Sequence, residues 1–403
     1  MVAYIATLGT EAAIRWVLNN AGIDFAIYLK DLFPLSASAV ALYYAVARGV
    51  DSRNTAALAW AFVWLIFVGI ASDLPVAQVM FGLKVWVPLA VGFVLVDSGA
   101  VTALNRPRLW GALWALLCIG IFLNYFHRTP WAGLTAQIGD ASVEINRDWT
   151  AYGRPRVSGF SRSSYDGAII VLLLHIYLMS AWRSAWLRVM LIVVSSLAIG
   201  LTTSKGALGS IFCTFLFLPI LWSRASLVDL MRAPSLLVLA SFAAIGLFAP
   251  ALSTQFTAPT FVPFSIEAKL FASLADRGWE TWPAAFDLLR DWQTVLGRGI
   301  GGIGSAQYQF EPALACPADN MFVYLFVTGG VFGAALYALP IVTAWRLRFE
   351  WPTDRMIFMY LVAIYSYGMT ASMIDNAPLA LVIGGLTAAL LRRSPVASSV
   401  EKP

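Results

Sequence analysis

The stretch "TTSKGALGS", residues 202–210, interrupts two long apolar runs and carries Lys205, one of only five lysines in the chain. A cation set among hydroxyls and small residues at such a break pairs with a carboxylate or with an anionic ligand. Lys84, in "VMFGLKVWVPLAVGF", lies well inside an apolar run. An ammonium there is costly unless paired or hydrated, so it reads either as a functional group or as a side chain that snorkels or meets a structural carboxylate. Further cations gather in two long polar stretches: Arg128, Arg147, Arg154, Arg156 and Arg162 in 127–165, and Lys269, Arg277, Arg290 and Arg298 in 253–319. The other ionisable groups favour structural readings. Glu11 and Arg15, four apart, suit an ion pair within a helix. Lys30 and Asp31 read as an interfacial pair, and His175 as a hydrogen-bonded core histidine. Three cysteines and two histidines without metal-ligand spacing speak against zinc and against a disulfide framework.

The elements that position these groups are membrane helices. The 403 residues are 60% hydrophobic and 12% charged, with a mean hydropathy of +0.75, too apolar for a soluble core. Runs of near bilayer-spanning length fall at 25–47, 55–71, 76–96, 109–126, 166–182, 187–203, 206–223, 235–252, 320–345, 354–371 and 375–391. Residues 2–19 either span or lie in the interface. The expectation is one all-α polytopic membrane domain over 1–403, with twelve spans or eleven. The N-terminus lacks a basic region ahead of an apolar core, so insertion is expected to rely on the helices themselves. A pI near 9.1 reflects arginines scattered through connections rather than a nucleic-acid face.

Arginines mark one set of connections: Arg48 and Arg53, Arg106 and Arg108, Arg183 and Arg188, Arg224 and Arg232, Arg346, Arg348 and Arg355, then Arg392 and Arg393. The connections at 72–75 and 369–376 have none. The positive-inside rule places the arginine set and the C-terminus in the cytoplasm. Lys205 and the long loops 127–165 and 253–319 then face outward, against the insertion bias. Within the larger loop, 265–294 has helical apolar spacing and Trp279, Trp282 and Trp292. It reads as an amphipathic helix at headgroup depth or as an ordinary packed loop helix, with Pro283 kinking it or starting its second half. The glycine run at 297–304 stops it. That run lacks the Gly-Lys-Ser ending of a phosphate-binding loop and follows no strand.

Three stretches resemble the O-antigen polymerase and O-antigen ligase superfamily. "GRPRVSGFSRSSYDGA", 153–168, is similar to its Arg-x-x-Gly segment entering a helix. "LTTSKGALGS", 201–210, resembles its Thr-x-Ser-Arg-Gly-Ala hairpin, with Lys205 in place of arginine. "DRGWETWPAAFDLL", "LGRGIGGIG" and "DNMFVYLFVTGGVFGAALY" resemble its Arg-x-x-x-Trp helix, Gly-x-Gly turn and His-Asn helix start. The likeness in layout covers about 75–390. One departure stands out: Asp319 precedes Asn320 where the family often has histidine, which argues against the ligase branch.

The resemblance implies an inner-membrane polysaccharide polymerase, its site facing the periplasm. It would transfer a glycan from an undecaprenyl-diphosphate-linked donor to the sugar hydroxyl of another lipid-linked repeat unit, without metal or nucleotide cofactor. The product would be a capsule, exopolysaccharide or O-antigen. Charge builds on the departing diphosphate, and cations must stabilise it. Lys205, Arg156 and Arg277 are expected to bind that group, with Lys84 meeting it from below or holding the bundle. Ser204, Thr203, Gly206, Asn320 and Arg154 support them. By motif position Asp319 is the first choice of carboxylate for the acceptor hydroxyl, with Asp140, Glu144 and Asp148 as alternatives. Beyond the bilayer and the lipid-linked glycan, a chain-length regulator and a flippase are the implied partners. The rival within the class is a ligase that moves finished glycan to lipid A-core. The rival outside it is a lipid-glycan flippase or secondary transporter, against which stands the lack of a repeat between residues 1–200 and 201–403.

Overall fold

The computed structural model describes residues 1–47, 53–100, 105–138, 141–147, 149–151, 154–223, 225–255 and 265–392. They form a helical protein. Six helices are long and apolar enough to cross a bilayer: Arg53–Ala71, Val76–Asp97, Pro107–Phe126, Ser164–Ala181, Leu227–Leu252 and Met321–Ala344. The apolar helices Ala185–Leu201 and Ala377–Leu391 are shorter. At 1.5 Å per residue, helices of 15 to 17 residues rise about 22–26 Å, less than the ~30 Å hydrocarbon core.

Several expected runs are broken. Residues 2–19 form two helices, Val2–Gly9 and Glu11–Asn20, separated at Thr10. The run 25–47 opens as a 3₁₀ turn, Asp24–Asp31, and becomes α-helical at Leu32–Ala47. The run 206–223 divides into Lys205–Phe215 and Leu218–Trp222. The first long loop adds strands that the all-α expectation did not contain. Thr135–Ile138 pairs with Ala141–Glu144, and Thr150–Ala151 with Arg154–Pro155, both antiparallel.

The chain divides into two compact units. The first comprises Met1–Tyr44 and Gly99–Trp222. Its central helix, Ser164–Ala181, is apolar on all sides and largely buried. His175 lies there, 3.1 Å from the Ser195 hydroxyl, which also accepts from Trp114 Nε1, so the histidine has the core role expected of it. The first long loop closes over the N-terminal helices. Ser161 Oγ donates to Gly9 O, Ala12 N to Phe160 O, and Trp131, Ile145 and Ala12 form a small core. Asn124 holds the loop by accepting from the N–H groups of Ser158 and Gly159. Gly159 has φ +63°, and an added Cβ would lie 2.8 Å from Ile121 N.

Glu11 is buried in this unit and meets two cations, Arg15 and Lys30, each at 2.6 Å. Burial alone would raise its pKa, but Lys30 and then Arg15 outweigh that and hold it down to about 2. The Glu11–Arg15 pair follows its spacing, and Lys30 also reaches Glu11.

The second unit comprises Ala45–Ser98 and Ser223–Pro403. Its longer helices are Arg53–Ala71, Val76–Asp97, Ala225–Leu252, Met321–Ala344, Pro352–Gly368 and Ala377–Leu391. At one end the arginine-bearing connections meet. Arg232 Nε donates to Leu347 O, Arg348 N to Asp354 Oδ2, Arg355 Nη1 to Ser223 O and Arg392 Nη1 to Val96 O. The other end gathers three connections. Ile300 N donates to Leu65 O, Gln78 Nε2 to Gly301 O, and Asn320 Nδ2 to Met369 O.

Helices Val76–Asp97 and Ala377–Leu391 run parallel at backbone contact. A Cβ on Gly92 would lie 1.8 Å from Leu381 O, and one on Gly384 1.9 Å from Leu89 O. Small residues here allow van der Waals packing that needs no hydrophobic drive in lipid. The helix Met321–Ala344 is interrupted at Gly330, whose φ of 55° and ψ of −132° suit only glycine.

Candidate functional site

The connection end of the second unit is built on the glycine segment. Gly297, Gly299, Gly301 and Gly304 all have positive φ. Cβ atoms on Gly299 and Gly301 would strike the backbone of Gly69 and Gln78 at 2.0 and 2.7 Å. The segment thus threads against two helix ends where no side chain fits. A charged clasp fixes it. Arg298 donates to Gly302 O at 2.7 Å and to Glu311 Oε1 at 3.0 Å, and Gln78 Nε2 reaches Glu311 Oε2 at 2.7 Å.

The loop expected to hold one helix over 265–294 is helical without a gap from Ile266 to Asp287, with a π-turn at Arg277–Thr281, and a separate short turn follows at Gln293–Leu296. Pro283 lies directly after the π-turn, within the same helical run. Trp279 and Trp292 are exposed, while Trp282 is buried and is not an interfacial anchor.

Arg277 opens the π-turn and faces Asp319, Nε to Oδ2, at 3.1 Å. Its Nη1 donates to Ser273 O and Oγ. Nη2 has no partner among the described residues. The pair is open to solvent, with side chains 23% and 36% exposed, so an anion can compete for the guanidinium. Asp319 sits at φ +43°, a left-handed conformation that aspartate tolerates, directly before Asn320. Asn320 caps helix Met321–Ala344 by accepting from Val323 N, and its Nδ2 donates to Gly246 O and Met369 O. Its amide is committed to the fold. Lys84 is on the exposed surface of helix Val76–Asp97.

In the first unit, Lys205 is exposed at the first position of helix Lys205–Phe215. Ser204 is the N-cap residue, but its side chain makes no cap hydrogen bond, and Thr203 before it has φ +57°. Gly206 lies within this first turn. A lysine there opposes the helix dipole, by about 0.3–1 kcal/mol, and an anion at the same place reverses the sign. Arg156 lies with its guanidinium 5.9 Å from the Trp149 ring, and Arg147 lies 5.4 Å from the same ring. The Nε of Arg156 is buried without a partner among the described residues. Arg154 pairs in a short strand. Glu144 is exposed and lies 3.5 Å from Arg147. Asp140 and Asp148 lie outside the described residues.

Two features of the second unit were missed by sequence reasoning. One is the clasp of Arg298, Glu311 and Gln78. The other is Asp375, which faces the Ser305 N–H, the Tyr324 hydroxyl and the Ser372 hydroxyl at 3.5, 3.5 and 3.3 Å. A glutamine inside an apolar run is the one local signal for the first. An apolar cavity of about 80 Å³ lies among the helices below, lined by Phe62, Trp86 and Tyr365 among others. It is smaller than the ~150 Å³ that admits a benzene-sized guest, so it is a packing gap rather than a groove for a lipid tail.

Compared with family models, with curated proteins and with solved structures, the chain matches none.

Proposed function

We propose that the chain is an inner-membrane glycosyltransferase that extends a polysaccharide, taking the glycan from an undecaprenyl-diphosphate donor and passing it to a hydroxyl of another lipid-linked repeat unit. The Arg277–Asp319 pair carries this reading. It joins the two motif-bearing stretches of the large loop, and it sets a guanidinium suited to a departing diphosphate beside a carboxylate. With no donor bound, the carboxylate holds the guanidinium in place. A diphosphate entering on the open Nη2 side takes over that charge. The exposed, uncapped helix start at Lys205 supports an anionic ligand independently.

The membrane layout belongs to the same proposal. The shorter helices complete eleven crossings, and the pair Val2–Gly9 and Glu11–Asn20, each too short to span, stands outside the count. The arginine-bearing end of the second unit is then cytoplasmic, with the C-terminus, and the glycine-segment end faces the periplasm.

Purified protein given short lipid-diphosphate-linked repeat units is expected to produce a ladder of longer glycans. Transfer only to an added lipid A-core acceptor would replace the polymerase with the ligase. Movement of the lipid-linked glycan across proteoliposomes without new bonds would replace both with a transporter.

A further inference from the structure

Asp319 already accepts from Arg277, whose Nε lies 3.1 Å from Oδ2. The same helix start carries a second carboxylate in a different setting. Tyr324, one turn into helix Met321–Ala344, directs its hydroxyl at Asp375 Oδ1. From the glycine segment the Ser305 N–H faces the same oxygen, and from its own connection the Ser372 hydroxyl faces Oδ2. Asp375 forms no ion pair among the described residues, and the charged groups of the glycine segment, Arg298 and Glu311, are closed on each other.

Its surroundings hold it rigidly yet leave it open. The Tyr324 ring stacks on Trp86, with centroids 6.3 Å apart. Asn376, the next residue, caps helix Ala377–Leu391 by accepting from Leu379 N. Gly304 faces the carboxylate at φ +80°, and a Cβ there would lie 2.5 Å from Oδ2. Only glycine leaves this carboxylate its space. The group is partly exposed, and its three contacts are long, so both oxygens keep acceptor capacity.

We propose that Asp375 is the general base for the acceptor hydroxyl, an assignment that rests on the glycosyl-transfer reading. The acceptor oxygen forms the new bond to the anomeric carbon of the donor, and its proton passes to the Asp375 carboxylate. The bond from that carbon to the diphosphate breaks, and the electron pair leaves on the lipid diphosphate, whose charge Arg277 stabilises. Asp319 then acts as the group that positions Arg277. Burial raises the Asp375 pKa by more than the Ser305, Ser372 and Tyr324 contacts lower it, which leaves it at about 6. A base with a pKa near the working pH accepts protons efficiently.

The test follows ladder formation by the purified full chain from pH 5 to 8, alongside binding of the lipid-diphosphate repeat unit. The wild-type rate is expected to fall about tenfold per pH unit below a midpoint near 6. Asp375→Asn should lose at least about 100-fold in rate with donor binding unchanged, and any residual activity should lack the acid limb. Asp375→Glu should recover part of the rate. Tyr324→Phe removes a donor that favours the charged carboxylate, so the limb should move to higher pH; this variant decides the matter if Asp375→Asn does not fold. Wild-type rates in Asp375→Asn, or a limb that Tyr324→Phe leaves in place, would overturn the assignment of Asp375 alone. A wild type that binds the donor but forms no bond with any acceptor would overturn the glycosyl-transfer reading, and this assignment with it.

Discussion

Replacing Arg298 by methionine tests the physical basis of the connection end. The guanidinium is only 9% exposed and makes three hydrogen bonds, one to Gly302 O and two to the Glu311 carboxylate. Methionine fills most of the same volume but leaves Gly302 O unpaired and strands Glu311 with Gln78 as its remaining donor. Breaking one partner of a buried pair costs about 3–5 kcal/mol. Glu311 is 20% exposed, so water recovers part of that, and the lower end, about 3 kcal/mol, applies. In a cooperative unit of this size each kcal/mol moves the midpoint by about 2–4 °C, which gives a fall of about 6–12 °C. Tryptophan fluorescence on heating in detergent reads it directly. The double variant Arg298→Met with Glu311→Leu should lose much less than the sum of the two singles, because no charge is stranded. A shift below about 2 °C for Arg298→Met, or strict additivity in the double variant, would refute the clasp as the element that fixes the glycine segment.

Three further outcomes concern the frame. Glu11 has a folded pKa depressed to about 2, so its stabilising contribution is fully present above the unfolded value of 4.5 and fades as pH falls through that window. Glu11→Gln should therefore destabilise the protein at pH 7, and the difference from wild type in unfolding midpoint should shrink between pH 4.5 and 2. Gly92→Leu should abolish accumulation of folded protein in the membrane, since even a Cβ would meet Leu381 O at 1.8 Å. Gly200→Ala, with nothing within 4 Å of the added atom, should be neutral or stabilising by up to about 1 kcal/mol in the same expression and melting assays.

Local spacing carried much of this structure into view and long-range geometry did not. The i,i+4 pair of Glu11 and Arg15 and the long apolar helices depend on residues within a turn or two of each other. Lys30 neighbours Asp31 in sequence, but its 2.6 Å contact with Glu11, made from the turn at Asp24–Asp31, has no local signal. The helix expected over 265–294 runs to Asp287 through a π-turn at Arg277, and its apolar period does not reveal the contact of Arg277 with Asp319, 42 residues away. Asp375 was invisible for a plainer reason. Two of its partners, Tyr324 and Ser305, are 51 and 70 residues away, and Gln78 and Glu311 of the clasp are 233 apart. No local pattern encodes contacts of that separation.

The most direct test of the central claim measures glycan transfer by purified wild type, Arg277→Ala and Lys205→Ala side by side. Each receives short lipid-diphosphate-linked repeat units, with folding checked by thermal melting. The account predicts a ladder of longer glycans from wild type and its loss in both folded variants. A ladder of undiminished length and rate from Arg277→Ala would contradict it.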